Sequence, residues 1–340
     1  MYVITIDTGT TNTRVCLWNA SGCLAQASAP VGVRDTVLTG DNLALKAGIS
    51  RLCDRVVDEG CLAPDEEPVV IAAGMITSAL GLVELPHLTA PVGLGQLAQG
   101  MVNRRIDGFL NRPVWFIPGV KNAVPEVTLE NIESMDMMRG EETETFGLLR
   151  EGSTGASLVL LPGSHAKMVS ISGEGLITGC ITTLSGELLD VISKNTLIAD
   201  ALESGFCDDI DETMLLRGAA MSRRVGLSRV CFTIRIMDMF SDLSRNQRAN
   251  ILLGAVLDAD VQAIKNSAAL GMRGDTRIII YGKAVLRRGL ALLLRHDPYF
   301  TGELSTPESI PTSLSGLGAL ALARRRGIVP STFYVNENPS

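Results

Sequence analysis

The residues best suited to chemistry fall in three polar segments. The first, Asp7-Thr8-Gly9-Thr10-Thr11-Asn12-Thr13-Arg14, separates two apolar runs near the start of the chain. A turn with one glycine among hydroxyl residues lets backbone N–H groups approach a phosphate closely, and the hydroxyls add donors. Asp7, at the end of the first run, could hold Mg²⁺ directly or through water. Arg14 could add charge-assisted hydrogen bonds to a transferring phosphoryl group. Threonine and glycine also suit a plain hairpin, but such a hairpin needs no Asp and Arg at its two mouths. The second segment, Leu161-Pro162-Gly163-Ser164-His165-Ala166-Lys167, repeats the design, with His165 and Lys167 as the polar groups beside Gly163 and Ser164. Two such turns, one opening each half of the chain, are the pattern expected when two lobes grip one polyphosphate.

The third segment, Asp136-Met137-Met138-Arg139-Gly140-Glu141-Glu142-Thr143-Glu144, runs from a loop into a helix. A carboxylate there could accept a proton from an attacking hydroxyl. Acids favour a helix start for electrostatic reasons as well, so both readings stand at this point. Gly74-Met75-Ile76-Thr77-Ser78 follows an apolar run, a common place for ligand-contacting loops in α/β lobes. Thr182 to Leu188 carries Ser185-Gly186-Glu187, either a hydroxyl-rich ligand turn or an N-cap supplied by Ser185. Gly282 either lets a flat ring lie against backbone or makes a tight strand-to-helix turn.

These segments must be positioned by alternating strands and helices. Tyr2 to Ile6, Thr13 to Trp18 and Cys23 to Ala27, with Asn19 to Gly22 as a turn, predict an antiparallel three-stranded start. Leu45, Ile49, Leu52 and Val56 share a helical face, and that helix ends near Gly60. Strands are expected at Pro68 to Ala73 and Pro113 to Ile117, and helices at Gly93 to Arg105 and Glu141 to Glu151. Nothing periodic marks the stretch after Gly119. Gly152 to Gly155 reads as a linker, after which strand, turn and strand return at Ser157 to Leu161, Lys167 to Ile171 and Leu176 to Cys180. Later expectations are helices over Arg248 to Leu270, Ala284 to Arg295 and Leu314 to Arg326, with a strand at Arg277 to Tyr281. The sum is an α/β protein of two similarly built lobes. The lobes are expected over 1–152 and 153–312, with residues 313–340 as a terminal helix and tail returning to the first.

Composition limits the function classes. The 340 residues include 30 Lys+Arg against 37 Asp+Glu, a net charge of −7, which argues against a chain living on nucleic acid or an anionic membrane surface. Despite a hydrophobic fraction of 46%, no apolar run approaches the ~20 residues of a membrane span. The N-terminus has no secretory-signal pattern. Seven cysteines, with no C-x-x-C pair, read as buried free thiols in a reducing cytoplasm. His87 and His296 are isolated and assigned no metal. Arg324-Arg325-Arg326 before Gly327 reads as a helix end.

The ordered set Asp7 to Arg14, Gly74 to Ser78, Pro118-Gly119, Met138 to Thr143, Leu161 to Lys167 and Ser185 to Glu187 resembles the 2-dehydro-3-deoxygalactonokinases. The likeness continues through Leu252-Leu253-Gly254 and Tyr281-Gly282. It implies membership of the sugar kinase, Hsc70 and actin superfamily: two actin-like (ribonuclease H-like) lobes with mixed sheets flanked by helices and a nucleotide cleft between them. It also implies phosphorylation of the C6 hydroxyl of 2-dehydro-3-deoxy-D-galactonate by ATP with Mg²⁺. Carried over, Asp7 organises the metal, and Gly9, Thr10, Thr11, Asn12 and Arg14 with Gly163, Ser164, His165 and Lys167 cradle phosphate. Gly282 flanks the adenosine. Glu142 is the first expected base, with Glu141 and Asp136 in reserve. Gly74, Met75, Ile76, Ser78, Arg139, Ser185, Gly186 and Glu187 face the sugar acid, and Arg139 is the partner of its carboxylate. The family pattern breaks at Ala79, Leu80 and Leu82, where an Arg and a Trp are usual, at Met168 in place of a Trp, and at Asn195-Thr196 in place of a His-Ser pair. These departures fall mainly on the sugar side, so a kinase for another hydroxylated acid, or an actin-like nucleotide sensor without turnover, are the rival expectations.

Overall fold

Short apolar runs separated by turn residues become strands, and the 3.6-residue periodicities become helices laid over them. The structure, a computed structural model, describes residues 1–149, 155–307 and 313–333. In the first half the chain runs β1 (Val3–Thr8), β2 (Thr13–Asn19), β3 (Gly22–Ala29), α1 (Val33–Thr39), α2 (Leu43–Glu59), β4 (Val69–Gly74), β5 (Leu88–Thr89), α3 (Leu94–Gly100), β6 (Val102–Ile106), β7 (Phe109–Phe116), β8 (Val120–Lys121), β9 (Met137–Met138) and α4 (Glu141–Leu148). The second half runs β10 (Ser157–Leu161), β11 (Ala166–Ile171), β12 (Ile177–Thr183), α5 (Ser185–Asn195), α6 (Glu212–Val225), α7 (Leu227–Phe240), α8 (Arg245–Asn266), β13 (Arg277–Ile280), α9 (Ala284–His296), β14 (Leu304–Ser305) and α10 (Leu314–Arg326).

The two large sheets share one plan. The first has the order β3-β2-β1-β4-β7-β6 and the second β12-β11-β10-β13-β14. In each, three consecutive antiparallel strands are followed by a parallel neighbour of the opening strand, β4 beside β1 and β13 beside β10. β1, β4 and β10 are buried along nearly their whole length, as central strands covered on both faces must be. This duplicated α/β plan, mixed sheets flanked by helices, is the actin-like arrangement expected from the sequence. The lobe limits at 152 and 312, the linker from Gly152 to Thr154, the last residues of the helix expected to reach Glu151, and the tail from 334 lie outside the described residues.

The lobes share a core. One apolar cluster joins Val3, Trp18 and Ile71 of the first sheet to Val159, Val169 and Ile177 of the second, with Leu320 and Ala323 of α10 among them. α10 packs closely on the first lobe because glycines remove the obstacle: a Cβ at Gly318 would lie 1.9 Å from the Thr143 carbonyl oxygen, and one at Gly316 would lie 2.4 Å from the Trp18 ring. Ser313 caps its first turn through the Gly316 N–H, and Gly327, at φ +77°, ends it.

Three expectations need correction. The helix anticipated from Gly93 to Arg105 is α3 followed by β6. The chain turns at Gly100, where a Cβ would lie 3.0 Å from Leu88, and the exposed Arg104 and Arg105 then suit an edge strand. The aperiodic stretch after Gly119 supplies β8 and β9, which with β5 form a three-stranded ribbon. Of the seven free cysteines Cys61 is exposed, because it sits at a surface turn. Among the described residues no helix is long and apolar enough to cross a membrane.

Candidate active site

The first turn is built at the end of β1. Asp7 pairs in register with Arg14 on β2 and with Ala73 on β4, which brings the carboxylate beside the end of both neighbours. The Gly9 N–H donates to the Asn12 carbonyl at 2.8 Å and closes the turn. Thr10, Thr11, Asn12 and Arg14 are exposed around it. The start of α1 braces the loop from behind: the Arg34 N–H donates to the Thr10 carbonyl at 2.9 Å, and a Cβ at Gly32 would lie 2.4 Å from that same oxygen. Gly32 was missed by sequence reasoning, since nothing local shows that another loop will lie against it.

Two glycines fix the floor of the site. Gly74 has φ +85°, and a Cβ there would lie 2.4 Å from the Thr8 carbonyl and 3.1 Å from Asp7 Oδ1. Gly140 has φ +119°, with its own Cβ position 3.3 Å from Gly74 Cα. β1, β4 and the start of α4 therefore converge on Asp7. The protein packed around Asp7 raises its pKa, burial being the main cause, with Arg14 opposing and Glu141 adding to the rise. Glu144, one turn along α4, is raised chiefly by burial and then by the charges of Asp7 and Glu141.

Glu142, the first expected base, is enclosed at the start of its own helix. Its carboxylate is fully buried, accepts the Gly140 N–H at 2.8 and 2.9 Å and the Thr143 hydroxyl at 3.2 Å, and has a pKa pushed up to about 7, mainly by burial. Glu141 stays partly exposed and accepts the Arg139 N–H at 3.0 Å. Arg139, expected to meet the substrate carboxylate, is held by the protein itself. Nη1 donates to the Thr77 carbonyl and hydroxyl, and Nη2 donates to the Leu85 carbonyl and meets His87 Nδ1 at 3.2 Å. Four of the five guanidinium hydrogens are thereby spent on the loop from Thr77 to His87, leaving no fork for a ligand carboxylate. Burial, Arg139 and Lys121 together push His87 down to about 4, consistent with a neutral ring accepting from Arg139. Ile76, expected on the sugar side, points into the first lobe's core, while Met75 and Ser78 stay partly accessible.

The second turn is braced in the same way, by α5. A Cβ at Gly186 would lie 2.0 Å from the Gly163 carbonyl, and the Glu187 N–H donates to the Ser164 carbonyl at 2.9 Å. Ser185 is buried behind this contact. His165 Nε2 pairs with Glu187 Oε2 at 2.8 Å. Gly282 lies against the same turn, its Cβ position 2.6 Å from the Pro162 carbonyl. Lys167 departs from the expectation of a phosphate ligand: Nζ donates to the Met137 carbonyl at 2.8 Å, lies 3.5 Å from Asp136 Oδ1 and also donates to the Thr182 hydroxyl, with its side chain 5% exposed. Its charge ties β9 to β11 and β12. Asp136, a reserve base, accepts from this Lys and from Thr182, so it serves that junction.

The segment from Asp136 to Glu144 thus touches the second turn at one end and Asp7 at the other. Asn122, also missed from sequence, completes the junction. Its side chain donates to the Ser134 and Cys180 carbonyls and accepts the Cys180 N–H, pairing with β12 as a backbone would.

Among the described residues no group of three or more His, Cys, Asp or Glu side chains is disposed to hold an ion. Asp7 has no hydrogen-bond partner among them, and sits beside further acids. One free carboxylate next to a turn of exposed N–H and hydroxyl donors fits Mg²⁺, which keeps several waters and shares its shell with substrate phosphates.

Residues 7–299 match the family model described as 2-keto-3-deoxy-galactonokinase. The chain belongs to that family. It is accordingly a sugar-acid kinase, a phosphotransferase with a small-molecule substrate. A probable 2-dehydro-3-deoxygalactonokinase of Rhizobium meliloti (strain 1021) is 25% identical over 272 residues, 80% of this chain and 78% of that protein. The 2-dehydro-3-deoxygalactonokinase of Escherichia coli (strain K12) is 25% identical over 276 residues, 78% of this chain and 81% of the relative. The fold matches the crystal structure of a Sinorhizobium meliloti protein described in the same terms, with TM-score 0.74 and 19% identity over 96% of this chain and 99% of that one.

Proposed function

We propose that the chain transfers the γ-phosphoryl group of ATP to the C6 hydroxyl of 2-dehydro-3-deoxy-D-galactonate, in the cytoplasm, as a step in galactonate breakdown. The observation that carries this reading is the meeting of Asp7, Gly74 and Gly140 at one floor, with the partly exposed Glu141 beside it. Gly9 to Asn12 offer backbone and hydroxyl donors to the phosphates from one side, and the turn at Gly163 and Ser164 does so from the other. Mg²⁺ held by Asp7 would neutralise phosphate charge. Gly282, beside Pro162, leaves room for the adenosine. Glu141 takes the hydroxyl proton as the new O–P bond forms, because Glu142 is enclosed by its own helix start. Arg139 acts through the loop it holds, setting Met75 and Ser78 against the sugar acid. No covalent enzyme intermediate is required, since positioning and charge neutralisation suffice for phosphoryl transfer.

A coupled ADP-release assay over a panel of 2-keto-3-deoxy acids tests the reading. Turnover on the galactonate compound with ATP and Mg²⁺ is expected. Turnover only on another acid would move the acceptor, which the residues at Ala79, Leu80 and Leu82 leave room for, and nucleotide binding without turnover on any acid would favour the sensor.

A further inference from the structure

Helix α7 is apolar on two opposite faces. Val230 and Ile234 are buried in the second lobe. On the other side Phe232, Ile236, Met239 and Phe240 recur at helical spacing and are 43, 37, 58 and 76% exposed. An exposed apolar patch of this kind marks an interaction site. Nothing in the transfer reaction draws on it.

The distribution of residues along the helix selects the partner. Phe232 and Phe240 stand at equal distances on either side of Ile236. Arg229 lies towards the start and Asp242 just beyond the end, both exposed and neither with an ion-pair partner among the described residues. We propose that α7 is a homodimer interface, in which two copies pack antiparallel about a two-fold axis at Ile236, each Phe232 meeting the other copy's Phe240 and each Arg229 meeting the other copy's Asp242. Parallel pairing would set like charges together, whereas the antiparallel one satisfies both ends and opposes the helix dipoles. Twofold pairing through one self-complementary patch is the commonest form of oligomer.

Sedimentation velocity or light scattering on the full chain tests this. The wild type is expected to be a dimer, and Phe232→Ser with Phe240→Ser a folded monomer with kcat unchanged. The charge arrangement has its own test: Arg229→Glu and Asp242→Arg should each weaken the dimer, and the double variant should restore it. Ile236→Cys should form an intermolecular disulfide under mild oxidation, because a residue on the axis meets itself. A monomeric wild type at tens of micromolar, or a dimer indifferent to all of these changes, overturns the proposal. A monomer that instead co-floats with anionic phospholipid vesicles overturns it in favour of a membrane surface.

Discussion

The two turns that open the lobes look alike in sequence and differ in what they hold. Both join antiparallel strands, and both are backed by a helix start at a glycine that admits no Cβ, Gly32 behind the first and Gly186 behind the second. Around the first, the side chains of Asp7, Thr10 and Arg14 have no hydrogen-bond partner among the described residues. In the second, Lys167 is spent on Asp136, Met137 and Thr182, and His165 on Glu187. A shared backbone cradle need not mean shared side-chain chemistry: the first turn leaves its ionic side chains available, whereas side chains of the second fasten the lobes.

The largest expected break in this contrast is Asp7→Ala. It should lower kcat by ~10³-fold or more, as losing a charge-organising group does, while leaving the unfolding transition in place. Normal turnover would remove the metal role. Next, Glu141→Gln should cost ~10²–10⁴ in kcat and Glu142→Gln far less, because Glu141 is partly exposed beside the floor while Glu142 is enclosed by its own helix start. The reverse order in steady-state assays would return the base to Glu142.

Lys167→Met sharpens the comparison from the other side. Stability should fall by on the order of 3 kcal/mol, since a buried ionic contact loses one member, with the KM for ATP changed by less than about tenfold. Intact stability with a much larger rise in KM would make Lys167 a phosphate ligand and restore the symmetry between the turns.

Smaller still is a pH effect. Asp7, Glu142 and Glu144 all titrate above the ordinary carboxylate range, so the folded chain retains protons that the unfolded chain has released. Stability contributed by these groups is then greatest at low pH and declines as pH rises from the usual carboxylate range through about 8, where Glu144, the highest of the three, titrates. Thermal unfolding without ligand should show this decline on top of other titrations, and Asp7→Asn should flatten it. An unchanged slope in that variant would mean that Asp7 does not hold its proton above the ordinary carboxylate range.

The main helices and the duplicated strand plan were legible because local patterns encode them: periodic apolar positions in α2, a basic last turn and glycine stop at the end of α10, turn residues between the opening strands. The turns at Asp7 and Gly163 were legible too, as glycine among hydroxyls between strands. What was not legible was which polar group faces what. Glu141 and Glu142 are adjacent in sequence, and only the 100° step of the helix and the placement of Gly140 on Gly74 leave one partly exposed and enclose the other. Asn122 and Gly32 carried no signal, because their roles depend on a strand from the other lobe and on a loop from the same lobe arriving beside them.

By itself the sequence determined two α/β lobes, each opened by a tight polar turn, since backbone conformation follows from residues a few positions apart. Tertiary structure alone decided that Lys167 fastens lobes and that Arg139 holds a loop, because a charged side chain pairs with whatever acceptor the folded chain brings within about 3 Å, and that acceptor lies dozens of residues away.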